Sequence, residues 1–103
     1  MKENLNIKVC KNSFSQFRGL RFSKKKELLF ILKKEDKILI DMLFVFFPLN
    51  VVFIDSNYVI KEIKKLYPFT FYLPKHKSKY IFETPFPIDL KTGNNFNVMK
   101  YND

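Results

Sequence analysis

Tryptophan is absent from the 103 residues, and there are two glycines, one cysteine and one histidine. Each scarcity closes a class of function. Gly19 and Gly93 cannot supply a dinucleotide fingerprint or a phosphate loop, which need several glycines where the backbone approaches phosphate closely. The lone Cys10 excludes an internal disulfide and is compatible with a reducing cytosol. With His76 it falls short of the three or four clustered ligands of a transition-metal site, so neither a metal nor a cofactor is expected. Nucleophilic catalysis needs a base beside the nucleophile and a third group to orient that base. Cys10 sits at a predicted strand end and His76 in a lysine-rich loop, so nothing in the pattern brings them together. An enzyme is the least favoured reading.

Long apolar runs are also missing. Ile38 to Ile54 is seventeen residues rich in hydrocarbon, but Asp41, Pro48 and Asn50 interrupt it, and a spanning helix wants about 20 largely unbroken apolar residues. No membrane span is read, and no membrane is expected among the partners. The opening MKENLNIKVC has no apolar core behind its first charge, so no signal peptide is read and a cytoplasmic location is expected. Acidic residues number ten against nineteen basic ones, a formal net charge of +9. That excess suits a polyanion, either nucleic acid or an anionic membrane surface. Yet seventeen of the basic residues are lysines spread along the chain, and dispersed charge serves solubility first.

What is abundant is phenylalanine, thirteen in all, densest in Met42–Asp55, MLFVFFPLNVVFID. Val45, Val51, Val52 and Ile54 are β-branched and Phe44, Phe46, Phe47 and Phe53 aromatic, side chains that lose rotamer freedom in a helix and pack well on a pleated sheet. Pro48 would break a helix there. The stretch predicts two buried strands meeting at Pro48, within one domain spanning residues 1–103.

Leu5, Ile7 and Val9 alternate with polar residues, a half-buried strand. Ser13 and Gln16 have capping-box spacing and Gly19 follows, which predicts a short helix over Phe14–Arg18. Leu28–Leu32 reads as a strand, Lys33–Lys37 as a charged hairpin connection and Ile38–Phe46 as a long central strand. Asn50–Ile54 runs into Asp55-Ser56-Asn57, a turn whose side chains bond their own backbone, and Tyr58–Ile63 returns as partner. Leu66–Lys79 reads as an irregular loop with a short strand at Phe69–Tyr72. Tyr80–Glu83 is a strand, Ile88–Thr92 a helical turn closed by Gly93, and Phe96–Met99 a last short strand.

Several of these pieces carry recognisable words: Arg18-Gly19-Leu20-Arg21-Phe22, Leu28-Leu29-Phe30, Met42, Pro48-Leu49-Asn50, Phe53-Ile54-Asp55 and Tyr80-Ile81-Phe82-Glu83-Thr84-Pro85. Their order and spacing, over roughly Ile7 to Val98, resemble domain-of-unknown-function family 192, small uncharacterised conserved proteins. The chain departs from the family at Arg21, where methionine is usual, and at Asn50, where aspartate is usual. Many members carry tryptophan-methionine-lysine-asparagine-threonine where this chain has Asp41-Met42-Leu43-Phe44-Val45. The resemblance implies a compact, mainly β fold with one or two short helices, and no activity. The fold class expected is mainly β (α+β), a small antiparallel or mixed barrel or sandwich.

Glu83 and Arg18 are charged residues inside these motifs. An ion pair between them is the first structural expectation, and a ligand site bordered by Arg18, Asp41 and Glu83 the first functional one, in a non-enzymatic domain binding a ligand or protein. Asp55 reads as a turn residue and Glu62 as a solvated sheet residue. The alternative is RNA or single-stranded DNA held by the Tyr67–Lys79 segment, with Tyr72, Lys75, Lys77 and Lys79 as contacts, since exposed aromatics beside cations bind single strands by stacking. The competing expectation for that segment, and the favoured one, is that Phe69 and Phe71 plug the core while the lysines face water.

Overall fold

The structure is a computed structural model that describes residues 7–10 and 27–97, the first four by backbone alone. Seven strands follow in chain order: β1 Ile7–Cys10, β2 Glu27–Asp36, β3 Ile40–Asp41, β4 Leu49–Ile54, β5 Ile60–Leu66, β6 Phe71–Tyr72 and β7 Ser78–Thr84. Five form one sheet in the order β1-β2-β7-β4-β5, and β3 pairs with β6 in a separate ribbon. β1 runs parallel to β2 and every other pairing is antiparallel. The chain is thus a small, mainly β domain whose sheet does not close into a barrel. No helix occurs among the described residues.

Alternation along each strand decides what the sheet buries. β4 is paired on both edges, setting Val51 beside Glu83 and Lys64, and Val52 beside Phe82 and Ile63. One face of the sheet presents Leu28, Phe30, Leu49, Val51, Phe53, Leu66 and Ile81, which pack with Ile40, Met42 and Val45 from the ribbon and its loop. The opposite face presents Leu29, Val52, Ile54, Ile60 and Phe82, covered by Phe96 with Ile88 and Leu90. The sheet is a middle layer, so β2, β4 and β7 carry apolar residues at both parities.

The Asp55 turn forms as its sequence suggests. The Asp55 carboxylate accepts the N–H groups of Asn57 and Val59, each at 2.9 Å. Tyr58 closes the turn with φ of +66°. Past it, the pairing of β4 with β5 shifts between Phe53 and Ile54. Ile60 then donates to the Asn94 carbonyl and Phe96 to that of Tyr58, both at 2.8 Å, bringing Phe96 onto its face. Gly93 turns the chain back at φ +90° with nothing near its missing Cβ, so it is needed for its backbone freedom rather than for space.

Four expectations need correction. β2 does not stop at Leu32 but runs through Lys33 and Lys34 to Asp36, since beyond the core its side chains can face water. Ile38–Phe46 is not a long strand. Only Ile40–Asp41 is, because the Asp41 carboxylate accepts the Leu43 N–H at 3.2 Å and Val45 donates to the Met42 carbonyl at 3.2 Å, a tight turn through Phe44 at φ +59°. Met42 and Val45 point into the core while Phe44 and Phe46 are exposed, so the stretch is apolar without being wholly buried. Ile88–Thr92 forms no helical turn, and Phe96 lies outside any strand. The Phe14–Arg18 helix lies outside the described residues.

Phe53 is completely buried. Its replacement by alanine should cost about 3–5 kcal/mol, and Phe71→Ala, at the surface, about 0.5 kcal/mol or less. Urea unfolding of the two variants measures both, and equal losses would contradict this arrangement.

Candidate binding face

The ribbon lies over one face of the sheet, and its register fixes which side chains look inward. Ile40 pairs with Tyr72, and Asp41 with Phe71. Ile40 and Met42 are buried, and Ile38 and Tyr72 pack against the same core. The alternate residues turn outward. Leu39 and Leu73, at one end of the ribbon, are 53% and 60% exposed, and Phe71 is 60% exposed. Pro74 is buried while Lys75 is exposed, so the alternation continues past β6.

At the other end the ribbon is prolonged by two backbone bonds at 2.8 Å: Met42 N–H donates to the Thr70 carbonyl and Phe69 N–H to that of Met42. Phe69, 49% exposed, also adopts a left-handed backbone, φ +60°. Its ring meets those of Phe44 and Phe46 edge-on, with centroids 5.9 and 5.5 Å apart. A bulky aromatic at positive φ is strained, and such strain concentrates at functional sites. The favoured expectation that Phe69 and Phe71 plug the core is therefore reversed. Once Tyr72 turns inward, its neighbour Phe71 must turn out.

The ribbon is held down by Glu62, which is not the solvated sheet residue expected of it. It is 9% exposed. Its carboxylate accepts the Tyr72 hydroxyl, the Lys75 N–H at 2.9 Å and a contact from His76 Nδ1 at 3.2 Å. The signal was present in the sequence: Glu62 shares its parity on β5 with buried Leu66 and lies opposite Phe53 in the hairpin, whereas Ile60, past the register shift, faces the other side. Burial pushes the Glu62 carboxyl upward and is the largest single influence, but the hydrogen bonds from Tyr72, His76 and Lys75 together outweigh it, and the group ends below its ordinary value. Tyr72 is pushed up to about 12, first by donating to Glu62 and then by burial.

Of the nucleic-acid candidates, Lys75 and Lys77 are exposed. The Lys79 ammonium donates to the Lys33 carbonyl at 2.8 Å. The Tyr72 ring lies against Phe53, centroids 6.1 Å apart, with the Lys64 ammonium 5.4 Å from its centre. The exposed aromatics of the segment are instead Tyr67, Phe69 and Phe71. Of the ligand candidates, Asp41 is half-buried in the ribbon. Glu83, 5% exposed, sits on the core face of β7 between Leu28 and Val51. Arg18 lies outside the described residues, and with it the expected ion pair. Asn50 donates its amide to the Phe86 carbonyl at 2.9 Å, a bond the aspartate usual at that position could not make. Among the described residues no group of three His, Cys, Asp or Glu could hold a metal ion, and no helix is long and apolar enough to cross a membrane.

A small β domain with an apolar ribbon across it is the class these features define. Residues 1–90 match the model of the DUF192 family, described as an uncharacterized ACR, and the chain belongs to that family. It is 36% identical over 83 residues to a UPF0127 protein of Thermococcus sibiricus, a match covering 77% of this chain and 54% of that one. It is 33% identical over 84 residues to one of Pyrococcus furiosus, covering 79% and 72%. The chain thus spans about half the length of the Thermococcus relative. Two solved structures share the fold at 17% identity. One is a candidate transcription regulator from Sinorhizobium meliloti, with TM-score 0.68 over 77% of this chain and 67% of that one. The other is a protein of unknown function from Novosphingobium aromaticivorans, with TM-score 0.65 over 77% and 61%.

The Glu62 bonds give a pH dependence. Because the folded carboxyl titrates below its unfolded value, its stabilisation is complete above that unfolded value, near 4.5, and is lost as pH falls through the folded one. Tyr72 has the opposite sign: its contribution is complete below pH 10 and lost as pH rises through about 12. Tyr72→Phe should cost about 1.5–3 kcal/mol at neutral pH. Glu62→Gln should flatten the acid side of the stability–pH curve. Unfolding followed from pH 3 to 7 tests this, and a variant curve parallel to the parent would refute it.

Proposed function

We propose that residues 1–103 act as a single non-enzymatic binding domain, working in the cytoplasm, that engages a ligand or protein through the outward face of the β3–β6 ribbon. The observation that carries this reading is the exposure of Leu39, Phe69, Phe71 and Leu73 together on one ribbon. Contiguous exposed hydrocarbon on a small protein marks an interaction surface. The left-handed Phe69 backbone supports it, because such strain persists where the surroundings hold a side chain in a set position. A site bordered by Arg18, Asp41 and Glu83 draws less support, since Asp41 belongs to the ribbon and Glu83 to the buried face of the large sheet.

The second reading is single-stranded nucleic acid. Exposed Lys75 and Lys77 favour it, as does the Lys65 ammonium 5.8 Å from the centre of the Tyr67 ring, since such binding joins cations to aromatic platforms.

Photo-crosslinking separates a working face from an inert one. With p-benzoylphenylalanine in place of Phe71, cells should yield discrete covalent adducts; the same residue at exposed Lys91 should not. Equal labelling at both positions, or none at 71, would remove this proposal. For nucleic acid, retention on a single-stranded DNA column should fall steeply as salt rises, because bound lysines release counterions. Retention that ignores salt would exclude that reading.

A further inference from the structure

The geometry points to an anionic lipid bilayer, rather than a protein and against the expectation of no membrane partner, as the ligand that this ribbon docks on, an inference that rests on the ribbon being the working face. Leu39, Phe69, Phe71 and Leu73 enter the boundary between headgroups and acyl chains, and the lysines around them meet the headgroup phosphates.

The outward apolar set and the cations are arranged for such a plane. Beyond Leu39 and Leu73, at the same end of the ribbon, come exposed Lys37, Lys75 and Lys77. Along β5, on the face that the ribbon covers, lies exposed Lys64, whose ammonium stands over the Tyr72 ring. Of the carboxylates nearby, Glu62 is turned inward to Tyr72, Lys75 and His76, Asp41 is half-buried opposite Phe71 and accepts the Leu43 N–H, and Asp36 is exposed beside Lys37. Apolar residues flanked by an excess of lysines is the composition of an interfacial lipid-binding surface.

Other occupants fit less well. Base stacking uses free ring faces, and Leu39 and Leu73 have none, while Phe69 is packed edge-on against two other rings. Specific protein interfaces carry about one hydrogen bond per 100–200 Å², and the side chains of Leu39, Phe69, Phe71 and Leu73 offer no donor or acceptor. A second copy of the chain would bring a second charge of +9 against the first. Acyl chains ask for hydrocarbon without hydrogen bonds, and anionic headgroups ask for lysine.

The test is co-sedimentation of the full chain with vesicles of phosphatidylcholine alone and of phosphatidylcholine mixed equally with phosphatidylglycerol. Binding is expected to the mixed vesicles, weakened at high salt. Each lysine near an anionic surface is worth about fivefold in partitioning, so Lys75→Glu with Lys77→Glu should lower it by about 25-fold or more. Phe71→Ser with Leu73→Ser, both at exposed positions, should lower it on the order of tenfold or more, with melting temperature unchanged. Absence of binding to the mixed vesicles overturns the inference, as does binding insensitive to the Phe71 and Leu73 changes. If vesicle binding fails while benzophenone at position 71 captures a protein, the lipid assignment falls and the working face stands. If both fail, both fall.

Discussion

The Tyr72 hydroxyl donating to the Glu62 carboxylate ties the small ribbon to the edge of the large sheet. Glu62 lies on β5, the outermost strand on that side. Its parity turns it toward the core, where an unpaired carboxylate would be costly. Tyr72, Lys75 and His76 satisfy it, and in doing so fix the inward face of β6. Everything exposed on the ribbon follows from that choice. With Tyr72 in, Phe71 and Leu73 are out; with Ile40 in, so is Leu39. One buried charge thus selects which hydrocarbon the molecule shows to its surroundings.

The middle layer is a simpler case. β4 holds Val51 and Phe53 toward the ribbon and Val52 and Ile54 toward Phe96. Nothing polar competes for those positions, so burial of apolar area dominates there. This explains why Asn50–Ile54, its turn and the Ile60–Ile63 part of its returning strand could be read directly, though that strand runs on to Leu66. β-branched residues, an Asp-Ser-Asn turn and a second apolar run leave few alternatives. The mainly β class was legible for the same reason, and the family partly so, since Phe53-Ile54-Asp55 and Tyr80-Ile81-Phe82-Glu83-Thr84-Pro85 lie in or beside core strands.

The ribbon was harder to read because its alternation is short and its inward and outward residues are similarly apolar apart from Asp41 and the Tyr72 hydroxyl. Leu39 and Ile40, or Phe71 and Tyr72, cannot be told apart by hydropathy when the strand is two residues long. What separates them is the hydroxyl of Tyr72 and a carboxylate ten positions away, a long-range pairing that composition does not encode. The turn through Phe44 was hidden likewise, since a left-handed phenylalanine breaks the usual rule that glycine or asparagine takes such backbones. The even spacing of Glu62 from Leu66, across from Phe53, points it inward against the general preference of glutamate for water.

Hydroxyl-radical footprinting of the folded chain, read residue by residue, tests the central claim most directly. Phe69, Phe71 and Leu73 should oxidise rapidly, with Tyr72 slower than its two neighbours and Phe53 protected. A protected Phe71 beside a reactive Tyr72 would mean that the ribbon presents its other face, and the account built on Glu62 would be wrong.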